Sequence, residues 1–152
     1  MLREIAGVRQ DAPALTRRWF QGRYFDLFTW QESAGAFTRI QLCYDVERNE
    51  RALVWSRNEG FFHDGVEHGE HAAGQAASPI LVPDGKFDSG TVVPRFERDA
   101  AGIAAEVREF VLAKIREHLV ALHRMKIRRR QVRREEWQRR KAAARAEQKR
   151  QD

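Results

Sequence analysis

The chain has 152 residues and a single cysteine, Cys43. That is the length of one domain with an appendage, and it allows no internal disulfide. Twenty-eight Lys and Arg against 22 Asp and Glu give a net charge of +6. No apolar run approaches the ~18 residues that would cross a bilayer. Residues 1–7 lack the apolar segment of a secretory signal, so a reducing, cytoplasmic setting is expected.

Residues 1–16 are weakly patterned, with Pro13 as a punctuator, and are expected to be an arm that is partly disordered. Residues 17–123 are expected to form a single α+β domain, beginning with an antiparallel meander of about four strands over residues 19–66. Tyr24, Phe25, Phe28 and Trp30 supply the aromatic density that suits a pleated surface. Ser33, Ala34 and Gly35 then make a turn. In the next segment Thr38, Ile40, Leu42 and Tyr44 fall on one face, and Phe37, Arg39, Gln41 and Cys43 on the other. A charged turn at 45–50 leads to a third strand, in which Leu53 and Trp55 share a face. Asn58, Glu59 and Gly60 turn into a fourth strand at 61–66.

Residues 68–78, rich in Gly, Ala and His, read as a loop, and Asp84 with Gly85 reads as a turn. Pro79 and Pro83 bracket Ile80, Leu81 and Val82, which marks an edge strand, because proline cannot donate to a ladder. Thr91, Val92 and Val93 are expected as one more short edge strand before Pro94.

A helix is expected to start near Asp99, whose carboxylate can cap the first turn. Ile103, Val107, Phe110, Val111, Ile115, Leu119 and Leu122 recur in steps of three and four, forming one stripe that must be buried, with the sheet as the nearest partner. The stripe fails after Met125, while the residues remain good helix formers. Residues 124–152 are therefore expected to be a basic helical extension. Thirteen Lys and Arg against three Glu make 124–150 net +10, so the rest of the chain sums to −4.

Three features bear on function. The first is the tail, where Arg128, Arg129, Arg130, Arg133, Arg134, Arg139, Arg140 and Lys141 offer guanidinium and ammonium groups to phosphates. Trp137 sits among them and can stack on an exposed base. RNA or DNA binding through the backbone, without sequence preference, is the expectation. The alternative is a protein-interaction module whose tail docks on an acidic partner or self-associates. The second feature lies at 63–71, where His63, His68 and His71 accompany three carboxylates. Imidazole and carboxylate ligate zinc, iron or manganese, so a metal-binding enzyme or sensor is a further alternative. The spacing matches no metal signature, however, and solvated histidines explain it as well.

The third feature is Asp26, which shares a face with Tyr24, Phe28 and Trp30. A buried carboxylate needs a donor, and Arg39, Arg51 or Arg57 is expected to provide it. Both sheet faces carry large apolar groups and one helix covers one face, so the other is expected to meet the segment 79–93, the N-terminal arm or another subunit, the last being a homodimer through the sheet aromatics. Cys43, mid-strand, reads as a small buried hydrophobe rather than a nucleophile. No P-loop, G-x-G-x-x-G or G-x-S-x-G occurs. The overall expectation is a non-enzymatic binding or adaptor protein that needs no cofactor.

Overall fold

The computed structural model describes residues 1–67, 80–83 and 87–151. The chain divides into two compact units, Met1–Ile115 and Arg116–Asp152. Among the described residues the first holds an antiparallel sheet of seven strands: β1 (Arg3–Ile5), β2 (Leu15–Gln21), β3 (Phe25–Glu32), β4 (Phe37–Tyr44), β5 (Arg51–Ser56), β6 (Gly60–Glu67) and β7 (Ile80–Pro83). Their order in the sheet is their order in the chain, a pure meander. Helix α1 (Ser89–Asp99) follows, and α2 (Ala105–Gln151) begins in the first unit and makes up the described part of the second. The α+β class and the antiparallel meander are as the sequence predicts, with more strands than expected.

Alternation sets the two faces of the sheet. Along β3, Phe25, Leu27, Thr29 and Gln31 are buried while Asp26, Phe28, Trp30 and Glu32 are half-buried. The register carries this across the sheet. Leu27 pairs with Phe20 and Leu42, and Leu42 with Leu53, so these side chains share the core face. Short turns hold the register. Gly35, at φ 87°, makes the backward bend between β3 and β4 that an L side chain resists. At the start of the next loop Asp45 takes φ 53°, a conformation Asp tolerates better than most residues.

Two expectations change, and the N-terminal arm gains a detail: its residues Arg3–Ile5 form β1. Leu2 is buried, its N–H donates to Asp99 O at 2.7 Å, and β1 pairs with Trp19, Phe20 and Gln21. A strand of three residues is too short to show a period-two pattern. Gly22 allows the close approach, because a Cβ there would lie 3.3 Å from Met1 O and Leu2 Cδ2.

The segment containing Thr91, Val92 and Val93 is helical, not an edge strand. Asp88 Oδ1 accepts from Thr91 N at 3.3 Å, and Val92 and Phe96, four apart, are both fully buried. Pro94 misled because it normally stops a helix, yet here it sits inside α1. Asp99 accordingly closes α1 rather than capping the long helix, and Arg95 and Arg98 lie 3.9 and 3.2 Å from its carboxylate. The long helix starts at Ala105, with Val107 N–H and Arg108 N–H both donating to Ala104 O.

The core of the first unit lies between the sheet and the helices. Phe96 meets Phe25 edge to face at 5.5 Å. Phe110 stacks on Phe37 at 4.2 Å and meets Trp55 at 5.4 Å. Val107, Val111 and Ile115 are fully buried, as the stripe predicts. Arg18 ties three elements together, gripping Glu4 of β1 at 2.7 and 2.9 Å and Glu106 of α2 at 3.2 Å. The hydrogen bond from Arg18 holds the Glu4 carboxyl below its ordinary pKa.

Because Phe96 is fully buried against Phe25, Phe96→Ala is expected to lower the free energy of unfolding by about 3–5 kcal/mol. Urea denaturation reads this, and a loss of under ~1 kcal/mol would show that the α1 contact contributes little to the core.

Candidate functional site

Arg128, Arg129, Arg130, Arg133, Arg134, Trp137, Arg139, Arg140 and Lys141 all lie on α2, within the second unit. This stretch has no Gly or Pro, and side chains 123–148 are exposed throughout. At 3.6 residues per turn, Lys126, Arg130, Arg133, Trp137, Arg140 and Lys141 fall within an arc of about 100°. Over its length of roughly 22 Å this arc carries five cations around one indole and no carboxylate. Glu135, Glu136 and Glu147 lie outside it. Arg129 and Arg134 flank the arc, whereas Arg128 and Arg139 lie on the opposite side of the helix. The nine residues thus do not form one surface, although five of them do.

Trp137 is 61% exposed, and Lys141 Nζ lies 4.7 Å from its ring centroid. A large indole left in solvent beside a cation can take a second flat π-system on its other face. Met125, Arg128, Arg129, Val132, Arg133 and Glu136 line a shallow depression of about 360 Å³ along another side of the helix. It is open and mixed in charge.

Of the histidine cluster, His63 is described, while His68 and His71 lie outside the described residues. His63 pairs with Leu53 across β5 and β6 and so points to the core face. Its Nε2 shares a 2.6 Å hydrogen bond with the hydroxyl of buried Tyr44, and Phe87 packs edge-on against both rings. Among the described residues no three His, Cys, Asp or Glu side chains converge on a point where a metal would sit.

Asp26 is satisfied differently from the expectation. Trp19 Nε1, not Arg39, Arg51 or Arg57, donates to its Oδ1 at 3.4 Å. The cross-strand pairs of Asp26 are Gln21 and Cys43, and the indole leans in from two residues along β2. Burial raises the Asp26 pKa, and the Trp19 hydrogen bond opposes part of that rise. Cys43 is buried with Ala52 and Val54 under Val46. Burial pushes its thiol up to about 12, so it is a packed apolar group at neutral pH.

Sequence reasoning missed the arrangement on the face opposite the core. Trp19 and Phe28 stack there at 5.7 Å, and the guanidinium of Arg17 lies 5.2 Å from Phe28 and 5.5 Å from Trp30. Arg39 covers Trp30 from the other side at 5.0 Å. The alternation in β3 and β4 placed these residues on one face, but the pairing with β2 was needed to bring Arg17 and Trp19 beside them.

No helix among the described residues is long and apolar enough to cross a membrane. No protein-family profile matches the chain, and no curated protein or solved structure matches it either.

Two measurements follow from these environments. Native Cys43 is expected to resist alkylation by iodoacetamide at pH 8 and to react once the protein is unfolded in urea; rapid native labelling would contradict its burial. Asp26 has a raised folded-state pKa, so its contribution to stability is full below the unfolded value, about 3.9, and is lost as pH rises through the folded one. Asp26→Asn is therefore expected to be more stable than the wild type at pH 7 in dilute solution, with the difference vanishing at low pH. An Asn variant that is less stable at pH 7 would mean that the charged form is favoured in the fold.

Proposed function

We propose that this is a non-enzymatic binding protein whose α2 helix engages nucleic-acid phosphates without sequence preference. The carboxylate-free arc of Lys126, Arg130, Arg133, Arg140 and Lys141 around exposed Trp137 supports this reading most directly. Guanidinium and ammonium groups on a helix contact phosphate oxygens of any sequence, and counterion release supplies the affinity. Trp137 adds a stacking surface for an unpaired base, which is tolerant of sequence because every base has a π-face. Arg129 and Arg134 extend the basic surface at its margins. A helix of this charge in a reducing, cytoplasmic setting would meet RNA or DNA as its most abundant polyanion, whereas an acidic protein would need a matching row of carboxylates.

Fluorescence polarisation of labelled RNA and DNA oligonucleotides across a salt series tests the proposal. The full chain is expected to bind with an affinity that falls steeply between 50 and 200 mM salt. The triple variant Arg130→Gln, Arg133→Gln, Arg140→Gln is expected to flatten the slope of log affinity against log salt by about 0.9 per contact removed on duplex DNA and about 0.7 on single strands. If the full chain does not bind near physiological salt, or if the slope is unchanged in the triple variant, the reading is wrong and an acidic protein becomes the better partner for α2.

A further inference from the structure

The sheet face opposite the core is zoned by the register into three rows. The middle row runs Trp19, Phe28, Gln41, Val54, Phe62 across β2 to β6. On one side, two residues along each strand, lies Arg17, Trp30, Arg39, Ser56. On the other side lies Gln21, Asp26, Cys43, Ala52, Asp64. One flank of the aromatic row therefore carries two guanidiniums, and the other carries two carboxylates. Neighbouring rows are about 7 Å apart, because each is two residues along the strand.

The aromatic ring contacts of Phe96 and Phe110 fall on the other face, at Phe25, Phe37 and Trp55. On this face Phe62 is 43% exposed, Arg39 is exposed, and Trp19, Phe28 and Trp30 are half-buried, whereas Cys43, Ala52 and Val54 are already buried with Val46 packed against them, so the accessible part of the face is its aromatic and charged rim. Arg17 has a partner in Asp11 at 3.1 Å. Among the described residues Arg39 has the Trp30 ring alone and no carboxylate, and Asp64 has no cation. Two exposed or half-buried ions of opposite sign, held in separate rows on either side of a row of aromatic and apolar groups, make a surface that complements its own rotated copy.

We infer that this face is a homodimer interface, in which a second copy of the chain packs sheet on sheet about a two-fold axis lying along the Trp19, Phe28, Phe62 row. Such an axis reverses the strand direction. It lays the aromatic row of one copy on that of the other, and the cation row of each copy on the carboxylate row of its mate. Strand β3 then runs over β3 of the second copy. Arg17 and Arg39, one strand to either side of it, flank the second copy's Asp26, and Arg39 lies between the columns of Asp26 and Asp64. A two-fold axis along the strands would instead set guanidinium against guanidinium. The sign pattern thus selects one symmetry as well as one partner. It also disfavours a polyanion on this face, because the two guanidiniums face three carboxylates, Asp26, Asp64 and the Asp11 that pairs with Arg17 and accepts from Trp30 Nε1 at 3.4 Å. Aligned sheet packing at about 10 Å separation leaves room for the side chains of both copies to interdigitate. This surface belongs to the first unit and shares no residue with the basic arc of α2, so its test does not depend on nucleic-acid binding.

Sedimentation equilibrium of the full chain, without nucleic acid, at low and high salt tests the inference. The wild type is expected to dimerise, more weakly as salt rises. Arg39→Glu, at an exposed position that need not disturb folding, is expected to weaken the dimer about tenfold or more by setting like charges together across the axis. Phe62→Ser is expected to weaken it through lost apolar contact. Mixing Arg39→Glu with Asp26→Lys is expected to restore a heterodimer, since each reversed charge then meets its opposite. If Asp26→Lys does not fold, Arg39→Glu and Phe62→Ser carry the test alone. A wild type that stays monomeric to millimolar concentration overturns the inference. So does a dimer that survives Arg39→Glu and Phe62→Ser but is lost with Val132→Gln or Trp137→Ala, which would place self-association on α2.

Discussion

Phe25 and Phe96 meet edge to face in the middle of the first unit, and the rest of that unit is organised around keeping such contacts dry. Phe25 projects from the sheet because β3 alternates, and Phe96 projects toward it because α1 repeats at three and four residues. Two elements with different periods each offer one apolar face, and neither can hide it alone. Once Leu27, Leu42 and Leu53 are on the same side, Val107, Val111 and Ile115 have a surface to cover. Arg18 closes the edge of this layer by joining β1 to the first turn of α2 through two carboxylates.

Burying one face commits the other. A side chain excluded from the core by alternation must project on the opposite side, so Trp19, Phe28, Trp30 and Phe62 are displaced there together. Arg17 and Arg39 shield part of the indole of Trp30, an arrangement that tolerates water at its rim while leaving the aromatic row partly open. Along residues 123–148 of α2 every side chain is exposed. The apolar stripe gives way to Arg, Lys, Gln and Glu, and the helix is held by propensity and backbone hydrogen bonds. A concentrated positive charge on such a helix lowers its free energy most when an anion neutralises it, which links the way this segment is built to the role proposed for it.

Strand β3 was legible because its alternation is clean over eight residues, and the buried stripe of α2 because it repeats over several turns, whereas the irregularity opposite Trp30 and Gln31 turns Phe37 to the core side against the expected alternation of β4. β1 was not legible, since three residues carry no period. α1 was hidden by Pro94 and by three β-branched residues in a row, Thr91, Val92 and Val93, which favour a strand locally. Burial of Val92 and Phe96 outweighed that preference. The basic tail was plain from composition, but the carboxylate-free arc needed the helix to be continuous through Trp137, so that residues fifteen apart in sequence line up on one side.

By itself the amino-acid sequence determined the α+β class, the faces of the long strands except at Phe37, the burial of Cys43 and the +10 charge of residues 124–150, because each is a local property of composition or period. The tertiary structure alone decided which strands are neighbours, and with that the donor to Asp26, the partner of His63 and the three rows of the open face. Those are contacts between residues distant in the chain, and their distances are set by hydrogen-bonded register, which no local pattern encodes.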